Sequence, residues 1–512
     1  MGGTITLVEG RNVTAPSPVP EKQSLRRSWK TTIAAGAVIG AGILLPLLFL
    51  AWLIIPSDLD FISDYSPIRY GLMAIGAPGL LVFLIALIDF VVDRRRNQAG
   101  RRFPSRVTWL SAGVSIVIIL AACGYVTLPK LLRRGDVPPQ LIVTGNMLRP
   151  PGGEFGLSLA FWTGKPTTNT VRWRQGGSER WQEWSEAAAG NRHWFAFPGL
   201  KPNSRYEYSV NVGNATAFST PPTPPEGPFR FAASGDLHIG ATRSDDYLPK
   251  PVLDAITDPT NRYSMFFMLG DIVHLGFRDD QWKEGVRVIS SLSSVIPTCY
   301  LIGNHDRLFG GVDLFRDYLC PRASDDLRQD HFWRRIDIGN IHFLLLELEW
   351  EDHYYTAAQE QWLTAQLTDI PQQDWCIVMS HTFYYCSGSE EDGWPWWDNQ
   401  DTIRRLVPLF EKHKVDMVFS GHQHHAELLQ TNGVTYVISG CFGDLPDPRH
   451  DHISPASTWL HLDDVYSFVE VTIDKDEAVV VFRDRNHQEL HRTVITSQRV
   501  APEISGRRRG KA

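Results

Sequence analysis

The chain has 512 residues, with 50 Lys plus Arg against 57 Asp plus Glu and a net charge of −7. That length points to three or four units, and the charge balance gives no sign of a nucleic-acid partner. Six cysteines are too few for a disulfide-built scaffold, and 11% aromatic residues suit a packed protein over a disordered one.

The arm 1–30 ends in a basic cluster (Lys22, Arg26, Arg27, Lys30), and three apolar segments come after it. Thr31–Ile55 and Val107–Leu128 contain no charged residue, and Gly71–Val92 contains only Asp89. Each exceeds about 20 residues, enough to cross roughly 30 Å of hydrocarbon as a helix. The expectation is a transmembrane region over 31–128, with three helices and the lipid bilayer as a partner. Gly36 and Gly40 would let two helices approach closely. The first loop is acidic (Asp58, Asp60, Asp64) and the second Arg-rich (Arg94, Arg95, Arg96, Arg101, Arg102, Arg106). The positive-inside rule then places the N-terminus inside and everything after Leu128 outside the cytoplasm. The expected location is multi-pass in a membrane, such as a bacterial plasma membrane.

After a short linker, residues 140–228 carry short alternating strands such as Gly156–Phe161, Thr170–Arg174 and Tyr206–Val212, separated by Gly, Pro and Asn. This is the pattern of a small β-sandwich. The stretch Leu200 to Tyr206 resembles the corner of fibronectin type III modules, where a tyrosine hydroxyl bonds to nearby backbone. Trp173 is the expected core tryptophan. The module's expected role is to space and buttress the next domain.

From Phe229 to about 490, apolar strands alternate with helices, the pattern of a layered α/β domain with its site at the carboxyl ends of strands. The remainder, 491–512, is a basic tail. Polar groups recur where the apolar runs end. Phe231-Ala232-Ala233 leads into Ser234-Gly235-Asp236-Leu237-His238, and Met265–Leu269 into Gly270-Asp271. Leu301-Ile302 leads into Gly303-Asn304-His305-Asp306, Val378-Met379 into Ser380-His381, and Val415–Phe419 into Ser420-Gly421-His422-Gln423-His424-His425. Any one of these is ordinary as a capping Asp or a satisfied His. Five in succession are not. The mixture of carboxylate, amide and imidazole suits Mn²⁺, Zn²⁺ or Fe²⁺ better than a site built on thiolates.

In that order, GDLH, GD, GNHD, SH and GHQH resemble the motifs of the calcineurin-like metallophosphoesterases. The resemblance implies a two-sheet αββα sandwich and two divalent metal ions (Mn, Zn or Fe). It assigns Asp236, His238 and His424 to one metal, Asn304, His381 and His422 to the other, and Asp271 to both. Two cations about 3.5–4 Å apart lower the pKa of a shared water toward ~7, so the implied chemistry is attack of a metal-bound hydroxide on a phosphomonoester or phosphodiester. His305 resembles the family histidine that protonates the leaving oxygen, with Asp306 expected to orient it. A sandwich module ahead of such a domain is similar to the arrangement in purple acid phosphatases. Those enzymes carry an iron-binding tyrosine three residues after the bridging aspartate, where this chain has His274, and they lack the histidine present here as His238. No tyrosinate absorption band is expected.

His425 is expected at the surface. Ser387–Gln400, with Glu390, Glu391, Asp392 and Trp394-Pro395-Trp396-Trp397, is read either as an overhang of the site or as a packed surface loop. The leading function is a membrane-anchored phosphoesterase. The alternatives are an enzyme specialised for a lipid or cell-envelope phosphoester, and a non-enzymatic binding or adhesion protein that keeps the fold.

Overall fold

The computed structural model describes residues 136–143, 156–211, 213–222, 227–241, 249–319, 332–348, 355–391, 394–443, 450–462 and 466–499. These residues belong to one compact unit.

Seven strands come first: β1 (Val137–Val143), β2 (Leu157–Thr167), β3 (Thr170–Gln175), β4 (Gln182–Ser185), β5 (Gly190–Ala196), β6 (Arg205–Val210) and β7 (Thr216–Ser219). They divide into β1-β2-β5 and a four-stranded sheet β4-β3-β6-β7. The alternation of side chains sends one face of each sheet inward. Trp173 of β3 meets Phe195 of β5 at 4.8 Å between ring centroids, and Phe197 meets Tyr208 of β6 at 6.1 Å. The Tyr206 hydroxyl accepts the Lys201 amide at 2.9 Å.

The remaining strands are β8 (Phe229–Ser234), β9 (Met265–Met268), β10 (Thr298–Tyr300), β11 (Arg334–Ile338), β12 (Ile341–Leu345), β13 (Trp375–Met379), β14 (Glu390–Glu391), β15 (Trp394–Pro395), β16 (Met417–Ser420), β17 (Ala426–Thr431), β18 (Val434–Ser439), β19 (Ser457–His461), β20 (Ser467–Asp474), β21 (Glu477–Asp484) and β22 (Glu489–Thr496). One sheet has nine strands in the order β22-β21-β20-β8-β9-β10-β1-β2-β5, the other seven in the order β11-β12-β13-β16-β18-β17-β19. Runs such as Met265-Phe266-Phe267-Met268 are apolar throughout because parallel strands here are covered on both faces. Between the sheets, Phe231 packs on Phe343 and Phe419 at 5.5 and 5.8 Å, and Phe267 on Phe343 at 4.7 Å. Burying each such ring contributes roughly 1.5–3 kcal/mol.

Helices cover both outer faces. On the nine-stranded side, Val252 and Ile256 of α1 (Pro249–Thr257), Trp282 and Ile289 of α2 (Asp279–Ser293), and, beyond the short α3 (Asn304–Arg307), Phe315 of α4 (Gly311–Leu319) share one apolar cluster with Phe266 and Met268. On the seven-stranded side, Leu363 of α5 (Ala357–Asp369) and Phe410 of α6 (Gln400–Lys412) pack with Leu344 and Val418. The order of layers is helix, sheet, sheet, helix. Strands β8, β9 and β10 run parallel in one sheet, and β13 and β16 in the other. Their carboxyl ends carry all five polar motifs.

Two expectations need correcting. Among the described residues no helix is long and apolar enough to cross a membrane. The longest, α2, has 15 residues, about 22 Å at 1.5 Å per residue, short of the roughly 30 Å required. The expected three-helix membrane region, the bilayer as a partner and the multi-pass location thus find no support among the described residues; the segments 31–55, 71–92 and 107–128 lie outside them. The β-sandwich is also not a free-standing module. Its strand β1 lies parallel to β10, with Ile142 opposite Thr298, so three of its strands prolong the nine-stranded sheet. Buried Gln140 accepts from Tyr300 Oη at 2.9 Å, and Tyr208 Oη donates to the Ser294 carbonyl at 2.9 Å, sealing the join.

Candidate metal centre

Each motif turns sharply at its strand end, and four of the turning residues take left-handed backbone angles. Asp236, His238, Asp271 and His422 have φ of 65°, 47°, 52° and 70°. Such angles cost of order 1–3 kcal/mol each in a non-glycine residue and concentrate at functional sites. Hydrogen bonds hold them there: the Asp236 amide donates to Gly270 O and the His238 amide to Asp271 O, both at 3.0 Å. Glycine is required where backbones meet. A Cβ on Gly303 would stand 2.1 Å from Asp271 Oδ1.

Two groups of ligand-type atoms result. In one, Asn304 Oδ1 lies 2.9 Å from His381 Nε2 and 3.0 Å from His422 Nδ1, and the two imidazole nitrogens are 3.2 Å apart. Ligands bonded at about 2.1 Å and set at right angles lie about 3.0 Å from each other, so these spacings fit the faces of an octahedral ion. In the other, Asp236 Oδ1 is 3.7 Å from His238 Nε2 and 3.6 Å from His424 Nε2. These are too long for hydrogen bonds and close to the spacing of ligands around a shared cation. Asp271 joins the groups. Its Oδ2 lies 3.3 Å from His381 Nε2 of the first and 3.4 Å from His238 Nε2 of the second.

The surroundings orient these atoms. His381 Nδ1 donates to Leu269 O at 2.8 Å, which turns Nε2 toward the site. The His422 ring is flanked in parallel by Phe383 and Trp396, both at 5.7 Å between centroids. Burial raises the Asp236 carboxyl, but His238, His424 and His381 overcome this and lower it. Asp271 is driven well below the ordinary carboxylate range when His381 and His305 outweigh its burial. Burial alone would depress His381, yet the Asp271 carboxylate raises it to about 9. Burial and the charge of His381 bring His422 down to about 3. The result is two carboxylates kept ionised among imidazoles, a donor set suited to divalent cations.

The seven expected ligand residues are all brought together: Asp236, His238, Asp271, Asn304, His381, His422 and His424. His305 is beside them, with Nε2 4.0 Å from Asp271 Oδ2 and Nδ1 donating to His274 O at 2.8 Å. Asp306 does not orient His305. Its Oδ1 accepts the amides of Ile272 and Val273 at 2.9 and 3.2 Å, and its Oδ2 accepts that of Gly303 at 3.1 Å. It braces the two loops that carry Asp271 and Asn304. His425 is fully buried, not exposed as expected. Cys376 and Cys386 are both buried and not joined as a disulfide. Sequence reasoning placed His274 only as a tyrosine's replacement, yet it groups with His238 and His305, all offering ligand atoms within 4.8 Å of one another. It did not place Trp396 against His422; the Trp-Pro-Trp-Trp run after the fourth motif was the available signal.

Residues 229–426 match the family described as calcineurin-like phosphoesterase. Over that span the chain is similar to calcineurin-like phosphoesterases. It is 28% identical over 251 residues to purple acid phosphatase 21 of Arabidopsis thaliana, covering 47% of this chain and 53% of that one. It is 25% identical over 248 residues to purple acid phosphatase 22 of the same plant, covering 47% and 54%. The chain thus spans about half the length of the curated relatives it matches. In fold it is similar to the purple acid phosphatase PPD1 from yellow lupin (Lupinus luteus) seeds, with a TM-score of 0.57 at 17% identity over 71% of this chain and 74% of that one.

Proposed function

We propose that the chain is a dinuclear, metal-dependent phosphoric ester hydrolase acting on phosphomonoesters or phosphodiesters. The observation that carries this reading is the position of Asp271 Oδ2, nearly equidistant from an imidazole of each ligand group. Asp236, His238 and His424 would hold one cation and Asn304, His381 and His422 the other, with Asp271 between. When bound, two such cations supply a nucleophile from water and offset charge on the phosphoryl oxygens.

The chain's own residues do the rest. Asp271 and Asp236 keep the cleft anionic enough to hold two cations. Trp396 and Phe383 hold the His422 ring by packing. His305 faces the site through Nε2. Burial, with His238 beside it, holds its pKa well below the ordinary value, so it stays neutral. A phosphate dianion arriving next to it reverses that balance and lets Nε2 carry a proton toward the leaving oxygen. Asp306 acts as a positioning residue through the Ile272, Val273 and Gly303 amides. The strand order of residues 137–219 and the Tyr206 hydroxyl bond support reading that module as fibronectin type III-like, serving as a buttress.

The test is hydrolysis by the full chain of a chromogenic phosphomonoester and a phosphodiester, with Mn²⁺, Zn²⁺ or Fe²⁺ supplied. Metal-dependent turnover is expected, and the ester preferred defines the subclass. Two bound cations with no turnover on any ester would reject the enzyme in favour of a binding protein that keeps the fold.

A further inference from the structure

Behind the His422–His424 loop lies a second constellation that the phosphoesterase reading does not use. Cys386, His425 and Glu427 are each fully buried. Cys386 Sγ lies 3.7 Å from His425 Nε2, and His425 Nε2 lies 3.2 Å from Glu427 Oε2. All three offer ligand atoms within 4.8 Å of one another. Around a tetrahedral Zn²⁺, sulfur at about 2.3 Å and nitrogen at about 2.0 Å lie about 3.5 Å apart, and nitrogen and oxygen about 3.3 Å apart. The observed spacings are close to both.

The neighbours are arranged as the outer partners of metal ligands usually are. Glu427 is held by Ser387, whose amide donates to Oε2 at 2.8 Å and whose hydroxyl donates to Oε1 at 2.6 Å. On the far side of the His425 ring, Nδ1 meets His450 Nε2 at 3.2 Å. The Cys386 thiol donates to the Ser387 carbonyl at 3.0 Å; if His425 Nδ1 donates to His450, the Nε2 lone pair faces a carboxylate and a sulfur, an arrangement that a cation between them would satisfy. Thiol, imidazole and carboxylate together are a Zn²⁺ donor set, distinct from the sulfur-free set of the dinuclear centre.

We propose that Cys386, His425 and Glu427 form a separate mononuclear site for a zinc-like divalent cation. Binding replaces the Cys386 S–H bond with a sulfur–metal bond and releases that proton to solvent. The site joins the segment running from Cys386 to Trp396 to the strand that follows His424, so it fixes the Trp396 ring against His422 from outside the centre. The competing occupant is a proton shared between His425 and Glu427, with the thiol left protonated.

The experiment is cobalt substitution of the purified full chain, read by absorption spectroscopy and metal content. Cobalt bound by thiolate gives a near-ultraviolet sulfur-to-metal charge-transfer band, which the dinuclear ligands cannot produce. The expected result is that band, with three metals per chain falling to two in Cys386→Ser and unchanged in Cys441→Ser. Visible cobalt bands with two metals and no charge-transfer band in the wild-type protein overturn this site while leaving the dinuclear centre standing. No bound cobalt at all overturns both. The wild-type spectrum alone decides the matter if Cys386→Ser does not fold.

Discussion

The two halves of the proposed dinuclear site are built differently. The Asn304–His381–His422 half is packed: its imidazoles are braced by the Leu269 carbonyl and by two aromatic rings, and its ligand atoms sit within 3.2 Å of one another. The Asp236–His238–His424 half is charged and more loosely spaced. It contains the second carboxylate, and its ligand atoms stand 3.6 and 3.7 Å apart. One half is preorganised by packing, while the other would attract a cation chiefly by charge. The packed half should therefore bind its cation tightly, and the loosely spaced half should exchange its cation faster.

Removing the residue shared by both halves should have the largest effect. Asp271→Asn is expected to lower kcat/KM by roughly a thousandfold or more, about 4 kcal/mol in the barrier, and to reduce metal content at both positions. Retention of two tightly bound metals with near-normal turnover would sink the bridging role. Next, His381→Ala and His424→Ala should separate the halves. The first should lose the slowly exchanging metal, the second the one removed quickly by a chelator, and identical release kinetics in both variants would erase the distinction.

The pH dependence is set by His381. Only its neutral form ligates, and its pKa is raised to about 9 in the metal-free protein. Affinity at the packed half should therefore strengthen as pH rises toward 9 and weaken by about tenfold per unit below it, one proton leaving per metal bound. Calorimetry in buffers of different ionisation enthalpy would count that proton, and a pH-independent affinity between 6 and 9 would contradict the assignment. The smallest effect is expected from Trp396→Ala. With the ligands intact it should reduce metal affinity by about 10–100-fold, the usual range for groups that orient a ligand, with kcat recovered at saturating metal.

Much of the site was legible in the sequence because the chemistry sits where local rules are strong. Apolar runs end in small residues, and the polar residue that comes next must turn. Asp236, Asp271, Asn304, His381 and His422 were all marked in this way. Failures came where long-range packing decides. His425 shares a loop with partly exposed His424, yet Glu427 and Cys386 draw it inside. Asp306 is next to His305 in sequence, but the α3 turn sends its carboxylate to three backbone amides instead. The continuous sheet had a quieter sign. Leu157 to Trp162 is buried on both faces, unlike the half-exposed alternation of a lone sandwich, because β1 and β2 lie inside the wider sheet. The apolar segments before residue 128 prompted a membrane topology on length and charge alone, and no described helix supports it.

The β1–β10 pairing has a consequence for how the chain is made. Ile142 finds its partner only when Thr298 has been synthesised, and β8 finds β20 later still, with Phe229 opposite Ile473. Contacts so distant in sequence slow folding, and at about 5–20 residues per second their partners are missing for many seconds of synthesis. Until then the β1 edge emerges from the ribosome with no neighbour on one side. Nascent chains halted before and after Thr298 should differ sharply in protease resistance, the later one being the first in which the opening strands are sheltered.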